Sequence, residues 1–567
     1  MNSPNPAIVA QAAARRLPRG ALLMLCLIYV LAGFVGRDAW KSADITALGY
    51  MAELAQGNAS WLHPTLMGTP LEMPALLPYW LGAWCMHAVP SGVDAGLVVR
   101  MVFALLLILA MASTWYGTYY LARSPRAQPV AFAFGGEAQP KDYARAMADG
   151  GLLAFMACLG LAQLGHETTT ALAQLGFAGL LFYALATLHY HTLAARLCAL
   201  LGVLGLGLSG APALSLLFMT GGVLIHWLDR NPNAEAQEQD SNKPLSALIL
   251  LAGALACAYL NWRLDLWRWK VEIPKATLAE LQGATELLIW FTWPAWPLSV
   301  WTVWSWRRQL LGKNMSRHIA LPLWFGVVTL GSTLTTGAPD QTLLLSLPAL
   351  AALAAFALPT LKRQVAALID WFTLVFFCGC GITIWVVWIA MQTGFPPQPA
   401  ANVARLAPGF VPQFSVFAFA IALAATLVWA WLVKWRVGRH RAAIWKSLAL
   451  PAGGAVLCWT LLMTLWMPLL NYTQSYNALV AHTVARMQPA GCVETLGLSR
   501  SKIAAFQLYG QLQLQPMQPH AQCPWLVSEP MENMSAPQWV DNTQWDLLAQ
   551  MRHPADGNET ILVFRRR

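Results

Sequence analysis

The sequence predicts an α-helical polytopic membrane protein with a small external α/β domain at its C-terminal end. Hydrophobic residues make up 57% of the 567 residues against 11% charged, with a mean hydropathy of +0.49, more apolar material than one soluble core accommodates. The charged residues fall in short clusters between long apolar runs, the pattern of a chain that crosses a bilayer repeatedly. From Asn471 onward the pattern changes to alternating apolar and polar residues, which belongs to strands and short helices in water. A soluble enzyme, a secreted disulfide scaffold and a disordered tail are excluded. The net charge of +10 resides in the short loops, where positive-inside topology accounts for it, so nucleic-acid binding is set aside.

The first apolar run, Ala21 to Gly36, follows Arg15, Arg16 and Arg19 and lacks a small-residue cleavage site. It reads as an uncleaved helix with a cytoplasmic N-terminus. Loop charge fixes the rest. The segments with Lys434/Arg436/Arg439/Arg441/Lys446, Lys362/Arg363, Arg307/Arg308/Lys313/Arg317, 228–245, 189–196 and 122–149 read as cytoplasmic, and those at 392–411, 337–341, 259–286, 209–212 and 163–170 as external. Leu76 to Val89 is too short to cross, since about 14 residues rise only about 21 Å against roughly 30 Å of hydrocarbon. It is expected to lie along the outer membrane face. The alternation then closes with about 13 spanning helices, some of them short (150–165, 194–209, 246–260). The domains are a transmembrane unit over 1–470, with outer loop 37–96 and juxtamembrane helix 76–89, and an external unit over 471–567. The chain is placed in the plasma membrane, which is the inner membrane if the cell is Gram-negative, with the N-terminus cytoplasmic and the tail periplasmic.

In the tail, patterning predicts helices at Tyr472–Met487 and Lys502–Leu508 and strands at Cys492–Leu498 and Trp525–Ser528. A closing hairpin of Gln544–Arg552 and Glu559–Arg566 is expected to turn through Ala555-Asp556-Gly557-Asn558. Eight of the ten cysteines sit in apolar or membrane-facing segments, where they act as small hydrophobes, while Cys492 and Cys523 share the tail. In an oxidising compartment those two can form a disulfide.

Ionisable residues gather on the external side. The first outer loop holds Arg37, Asp38, Lys41, Asp44, Glu53, His63 and Glu72; the turn at 163–170 adds His166 and Glu167, and the turn at 337–341 adds Asp340. The 259–286 loop adds Arg263, Asp265, Arg268, Lys270, Glu272 and Lys275, interleaved with Trp262, Trp267 and Trp269. In a compact bundle these segments face one outer cavity. Carboxylates beside cations suit transfer chemistry on an anionic lipid-linked substrate: a carboxylate can deprotonate an acceptor hydroxyl while cations offset a departing phosphate. Each group also has an ordinary reading as a wet helix end, and the tryptophans as an interfacial belt. Asp38 and Asp44, six residues apart, fall on poorly matched helix faces, so spacing alone does not pair them. Asp44, Glu72 and Glu167 offer hard oxygen ligands for Mg or Mn without a spacing that compels a metal site. No Walker loop, zinc-protease helix or nucleophile-elbow serine is present, which argues against an ATP-driven pump and against metalloprotease or serine-hydrolase chemistry.

Ala43-Asp44 through Glu53-Leu54, then Trp61-Leu62-His63-Pro64, Gly68-Thr69-Pro70 and Glu72-Met73-Pro74-Ala75-Leu76-Leu77-Pro78 resemble the first outer loop of GT-C glycosyltransferases. The nearest likeness is to glycosyltransferase family 39, the aminoarabinose-transferase and protein O-mannosyltransferase superfamily. Further similar stretches follow in order: Arg100 opening a helix that ends in Tyr119-Tyr120-Leu121-Ala122-Arg123, the His166-Glu167 turn, Trp293-Pro294, Leu343-Leu344-Leu345-Ser346-Leu347-Pro348-Ala349-Leu350, and the terminal hairpin.

The resemblance implies a GT-C-like fold and a transferase that takes a sugar from a polyprenyl-phosphate carrier to an extracytoplasmic acceptor: a lipid, a glycan or a protein. It implies Asp44 as the acid that activates the acceptor hydroxyl, Glu72 as a companion near the donor, and Glu167 with His166 at the second acid's place. Arg37, Asp38, Lys41, His63, Arg263, Arg268, Lys270 and Asp340 join these as substrate-binding candidates, and Asp44 and Glu167 as candidate ligands of a divalent cation. Three lysines of the family pattern are absent, at Met73, in Ser209-Gly210-Ala211-Pro212 and in Pro339-Asp340-Gln341. Arg37, Lys41 or the 259–286 loop then takes over phosphate binding, or the donor differs, or the chain is a non-catalytic scaffold. A lipid or solute transporter is the other rival; no inverted repeat or pair of broken helices supports it.

Overall fold

The computed structural model describes residues 5–90, 92–229, 243–267, 278–310, 315–336, 339–438, 443–488, 491–518, 522–530, 540–541 and 543–567. Helix α1 spans Arg19–Phe34, and the outer loop that follows holds α2 (Ala43–Ala55), a two-stranded ribbon of β1 (Thr65–Leu66) and β2 (Thr69–Pro70), and α3 (Leu77–Ala88). The membrane body continues with α4 (Ala95–Ala122), α5 (Pro140–Ala157), α6 (Leu161–Leu164), α7 (Thr170–Thr187), α8 (Thr192–Leu208), α9 (Pro212–Leu228) and α10 (Lys243–Arg263). It ends with α11 (Leu278–Phe291), α12 (Ala295–Ser305), α13 (Arg307–Leu310), α14 (Arg317–Thr333), α15 (Pro339–Leu344), α16 (Leu347–Ala357), α17 (Arg363–Thr393), α18 (Pro397–Leu406), α19 (Val416–Val437) and α20 (Lys446–Leu465).

Among the described residues six helices, α4, α7, α10, α17, α19 and α20, are long and apolar enough to cross a membrane, and four shorter apolar helices accompany them. Length and composition therefore support a multi-pass chain without reproducing the count of thirteen. The helix expected at 150–165 begins instead at Pro140 and stops at Ala157, and the short α6 follows it. Proline at the first helical position fixes that early start.

The body is centred on α16, every residue of which is buried. Its sequence is apolar all round, as an interior helix must be, and six of its eleven residues are alanine, which lets neighbours approach closely. Helix α12 exploits that closeness: Ser299 Oγ donates to the Leu350 carbonyl at 3.0 Å, Thr302 Oγ1 to Leu353 at 2.7 Å and Trp306 Nε1 to Phe356 at 3.1 Å. Helix α19 is apolar yet almost wholly exposed on the outside of the body, the character of a lipid-facing helix.

The tail forms α21 (Met467–Gln474), α22 (Asn477–Val484), β3 (Val493–Leu496), α23 (Arg500–Leu508), β4 (Leu514–Pro516), β5 (Trp525–Ser528), β6 (Trp545–His553) and β7 (Asp556–Arg566). The sheet runs in the order β4-β3-β5-β7-β6, with β3 parallel to β4 and β5 and with β7 antiparallel to β5 and β6. The helix expected over Tyr472–Met487 is broken into α21 and α22 at Ser475-Tyr476. The closing hairpin turns at Pro554-Ala555, because Asp556 already pairs with His553 and the register leaves two residues for the turn. Cys492 and Cys523 are joined in a disulfide. Helix α23 lies against α2: Gln507 Nε2 donates to Glu53 at 2.8 Å, and the Tyr509 hydroxyl accepts from the Ala39 amide at 2.9 Å. The tail is thus docked onto the outer loop.

Candidate active site

Arg37 lies just beyond α1 and is 2% exposed. Its guanidinium sits 3.8 Å over the Trp40 ring, and Nη1 donates to the His166 carbonyl at 3.0 Å. Nη2 stands 3.5 Å from Asp44 Oδ2 and 3.6 Å from Glu167 Oε1, with all three side chains buried. One cation thus holds two carboxylates. Asp44 occupies the first turn of α2, where unpaired amides favour negative charge. Its Oδ1 accepts from both the amide, at 2.9 Å, and the hydroxyl of Thr168, and its Oδ2 accepts from the Trp40 amide at 3.3 Å. These bonds stitch the outer loop to the 163–170 turn.

That turn is held from beneath by His166. Its ring packs against Tyr29, Phe34 and Trp459 at centroid distances of 5.1, 5.1 and 4.8 Å. Nδ1 faces the Ala162 carbonyl at 2.5 Å and Nε2 the Tyr29 carbonyl at 3.0 Å. Burial pushes the imidazole down to about 4, so at neutral pH it is uncharged and donates to only one of the two carbonyls. His166 is an anchor with no nitrogen left for a substrate. Its neighbour differs: Glu167 Oε1 accepts from Gln163 Nε2 at 3.1 Å, and burial, followed by the charge of Asp44, pushes the carboxyl up to about 7 against the pull of Arg37. Asp340, half-buried in the first turn of α15, adds to the rise.

The remaining candidates lie elsewhere. Asp38 accepts from Asn477 Nδ2 at 3.3 Å and does not pair with Asp44. Lys41 turns to the tail, 3.6 Å from Asp556 and 3.5 Å from Glu559. Glu72 is exposed and ion-paired to Arg500 at the start of α23, so the structure does not bring it to Arg37. Proline and the β1–β2 ribbon carry the 60–76 segment out under the tail, where the two charges meet. His63 is an exposed turn residue and Arg263 an exposed residue ending α10. Arg268 and Lys270 lie outside the described residues.

Beside the Arg37 centre a cavity of about 570 Å³ opens between the outer loop, α4 and the tail. Asp38, Gln56, His87, Asp94, Arg100 and Tyr509 supply its polar lining, and Ile45, Leu48 and Met86 are among its apolar walls. Its size and mixed lining suit a small polar ligand. Arg100 makes no ion pair among the described residues. A lone cation opening a long apolar helix was the signal for it in the sequence. Thr168, Trp40 and Gln163, which hold the carboxylates, carried no such signal, because ordinary polar and aromatic residues near a turn are too common to single out.

The residues present do not fit a divalent cation at Asp44 and Glu167. The Arg37 guanidinium already stands between the two carboxylates, and among the described residues no group of three His, Cys, Asp or Glu side chains is arranged to hold a metal. What the centre offers is a buried carboxylate pair of differing character, neutralised in part by one arginine.

No family model matches the chain, and no curated relative matches it by sequence. The fold is similar to two crystal structures of ArnT from Cupriavidus metallidurans. The one bound to undecaprenyl phosphate is 12% identical, with a TM-score of 0.62 over 96% of this chain and 97% of that one. The apo structure is 13% identical, with a TM-score of 0.60 over 96% and 98%. At this identity the likeness establishes the fold alone, and it extends over nearly the whole length of both chains, body and C-terminal domain together.

Proposed function

We propose that the protein is a membrane glycosyltransferase that moves a sugar from a polyprenyl-phosphate donor to an acceptor on the external face. The observation that carries this reading is the buried Arg37–Asp44–Glu167 centre, whose chain neighbours Asp38 and Ile45 line the cavity that Arg100 enters, within a fold whose neighbour is solved with undecaprenyl phosphate. A carboxylate takes the acceptor proton, and a cation compensates the leaving phosphate. Arg37 is committed to two carboxylates and Lys41 to the tail, so Arg100 is the cation available at the cavity. The N-terminus is cytoplasmic and the tail periplasmic in this reading, supported by the loop charges and by the Cys492–Cys523 disulfide, which belongs to an oxidising compartment.

Native mass spectrometry of the purified protein with added undecaprenyl phosphate tests this, using wild type, Arg100→Ala and Glu72→Gln. Retention by wild type and by Glu72→Gln, with loss from Arg100→Ala, is the expected result. Retention without any sugar transfer would favour the non-catalytic scaffold, a reading the three absent lysines support, and no retention at all would sink the proposal.

A further inference from the structure

The two carboxylates of the centre are not equivalent, and their hydrogen bonds divide the labour between them. An ionised carboxylate offers about four lone-pair sites. Those of Asp44 are taken: Oδ1 accepts from the Thr168 amide and hydroxyl, and Oδ2 from the Trp40 amide with Arg37 Nη2 beside it. A proton arriving on Asp44 would have to displace a donor, every one of which comes from a backbone or side chain itself buried in the site. Glu167 has one hydrogen bond, from Gln163 to Oε1, and Arg37 approaches that same oxygen. Its Oε2 accepts no hydrogen bond and is not among the buried oxygens lacking a partner, so it reaches accessible space.

Resting on the glycosyltransferase reading, we propose that Glu167 is the group that takes the acceptor's hydroxyl proton. Asp44 and Arg37 are positioning residues that hold it. In the step, a lone pair of the acceptor oxygen forms the bond to the anomeric carbon while its proton passes to Glu167 Oε2. The bond from that carbon to the donor's phosphate oxygen breaks with its electrons, polyprenyl phosphate departs as the dianion, and Glu167 later returns its proton to water.

The surroundings of Glu167 match that role. Asp44 faces it from α2, Asp340 from α15, Gln163 from α6 and Arg37 from the outer loop, with the neutral His166 next to it in the chain. Burial and the two carboxylates raise its affinity for a proton, and Arg37 opposes them, which leaves the group at about 7. A base poised near ambient pH both exists in the ionised form and accepts a proton readily. The Thr168 bonds to Asp44 hold Glu167, the preceding residue, beside Arg37.

The test uses the full chain in nanodiscs, with synthetic undecaprenyl-phosphate glycosides as donors and a membrane-lipid extract as acceptor, following release of undecaprenyl phosphate against pH. Glu167→Gln is expected to lose turnover by about 10³-fold while still binding undecaprenyl phosphate, and to lose the acid limb near pH 7; Glu167→Asp should restore part of the rate. Asp44→Asn should keep a limb, moved to lower pH because a neighbouring negative charge has gone. Wild-type-like turnover and pH dependence in Glu167→Gln, or disappearance of the limb in Asp44→Asn alone, would overturn the assignment. Infrared spectroscopy of the carboxyl groups keeps the two readings apart. A carboxyl titrating near pH 7 that vanishes in Glu167→Gln, in a wild type that neither binds undecaprenyl phosphate nor turns over, would end the glycosyltransferase reading and the base assignment with it, while leaving the titration of Glu167 established.

Discussion

Gly33 lies so close beneath His166 that a Cβ added to the glycine would stand 2.2 Å from the imidazole Cδ2. No real contact is that short, so any side chain at position 33 moves the ring. The ring is pinned to two carbonyls and three aromatic neighbours, and its own carbonyl accepts from Arg37. Gly33→Ala should therefore disturb Arg37 and the carboxylates it holds, from a position that touches neither. The expected outcome is a lowered Tm, by roughly 1–3 kcal/mol of overpacking, together with reduced sugar transfer. An unchanged Tm and full turnover would show that the turn adjusts freely.

Removing the guanidinium should be worse than removing either acid. Arg37→Met leaves two buried carboxylates without their cation, a loss of about 3–5 kcal/mol. Arg37→Lys keeps the charge, but a single ammonium cannot bridge both acids and the His166 carbonyl at once. Thermal unfolding in detergent should rank the proteins wild type, Lys, Met in decreasing stability.

Asp340 reaches Glu167 only through its charge. Asp340 contributes to the rise of the Glu167 carboxyl to about 7, so Asp340→Asn lowers it. An ionised base is then available at more acidic pH, and the acid limb of the pH–rate profile shifts downward, by less than in Asp44→Asn, whose charge has the larger effect. A limb that moves upward, or not at all, would contradict the electrostatic account.

The three lysines that the resemblance leaves absent are not equally restorable. Gly210 has a φ of +93°, and a Cβ there would stand 2.9 Å from the Pro74 carbonyl. Gly210→Lys is expected to lower the Tm without gaining affinity, since it strains the backbone and pushes on the outer loop. Met73 is 45% exposed, so Met73→Lys should fold normally and tighten undecaprenyl phosphate binding, as measured by native mass spectrometry.

The disulfide closes a separation of 31 residues within the tail. Chain-entropy reasoning gives it roughly 3–4 kcal/mol, so Cys492→Ser with Cys523→Ser should destabilise the tail. Proteolysis should then cut within 491–567 sooner than in wild type, with the membrane helices surviving.

The sequence by itself determined the solvent and the architecture. Hydrophobic run length and loop charge are local quantities, and they placed a multi-pass body before residue 471 and strands after it because membrane insertion reads each segment separately. The patterned strands 493–496, 525–528 and 545–553 were legible for the same reason: alternation is a property of adjacent residues. It also named Arg37, Asp44, His166, Glu167 and Asp340 among its candidates, since charge beside an apolar run is conspicuous. Which of these meet was decided only by tertiary structure. Thr168 reaches Asp44 across 124 residues, Lys41 is drawn away by Asp556 and Glu559, and Glu72 by Arg500. The helix count depended on packing too, because short helices such as α16 are stabilised by neighbours and not by their own length. The unequal hydrogen bonding of Asp44 and Glu167 belongs there as well, for the number of donors around each oxygen is set by chain segments brought together only in the folded protein.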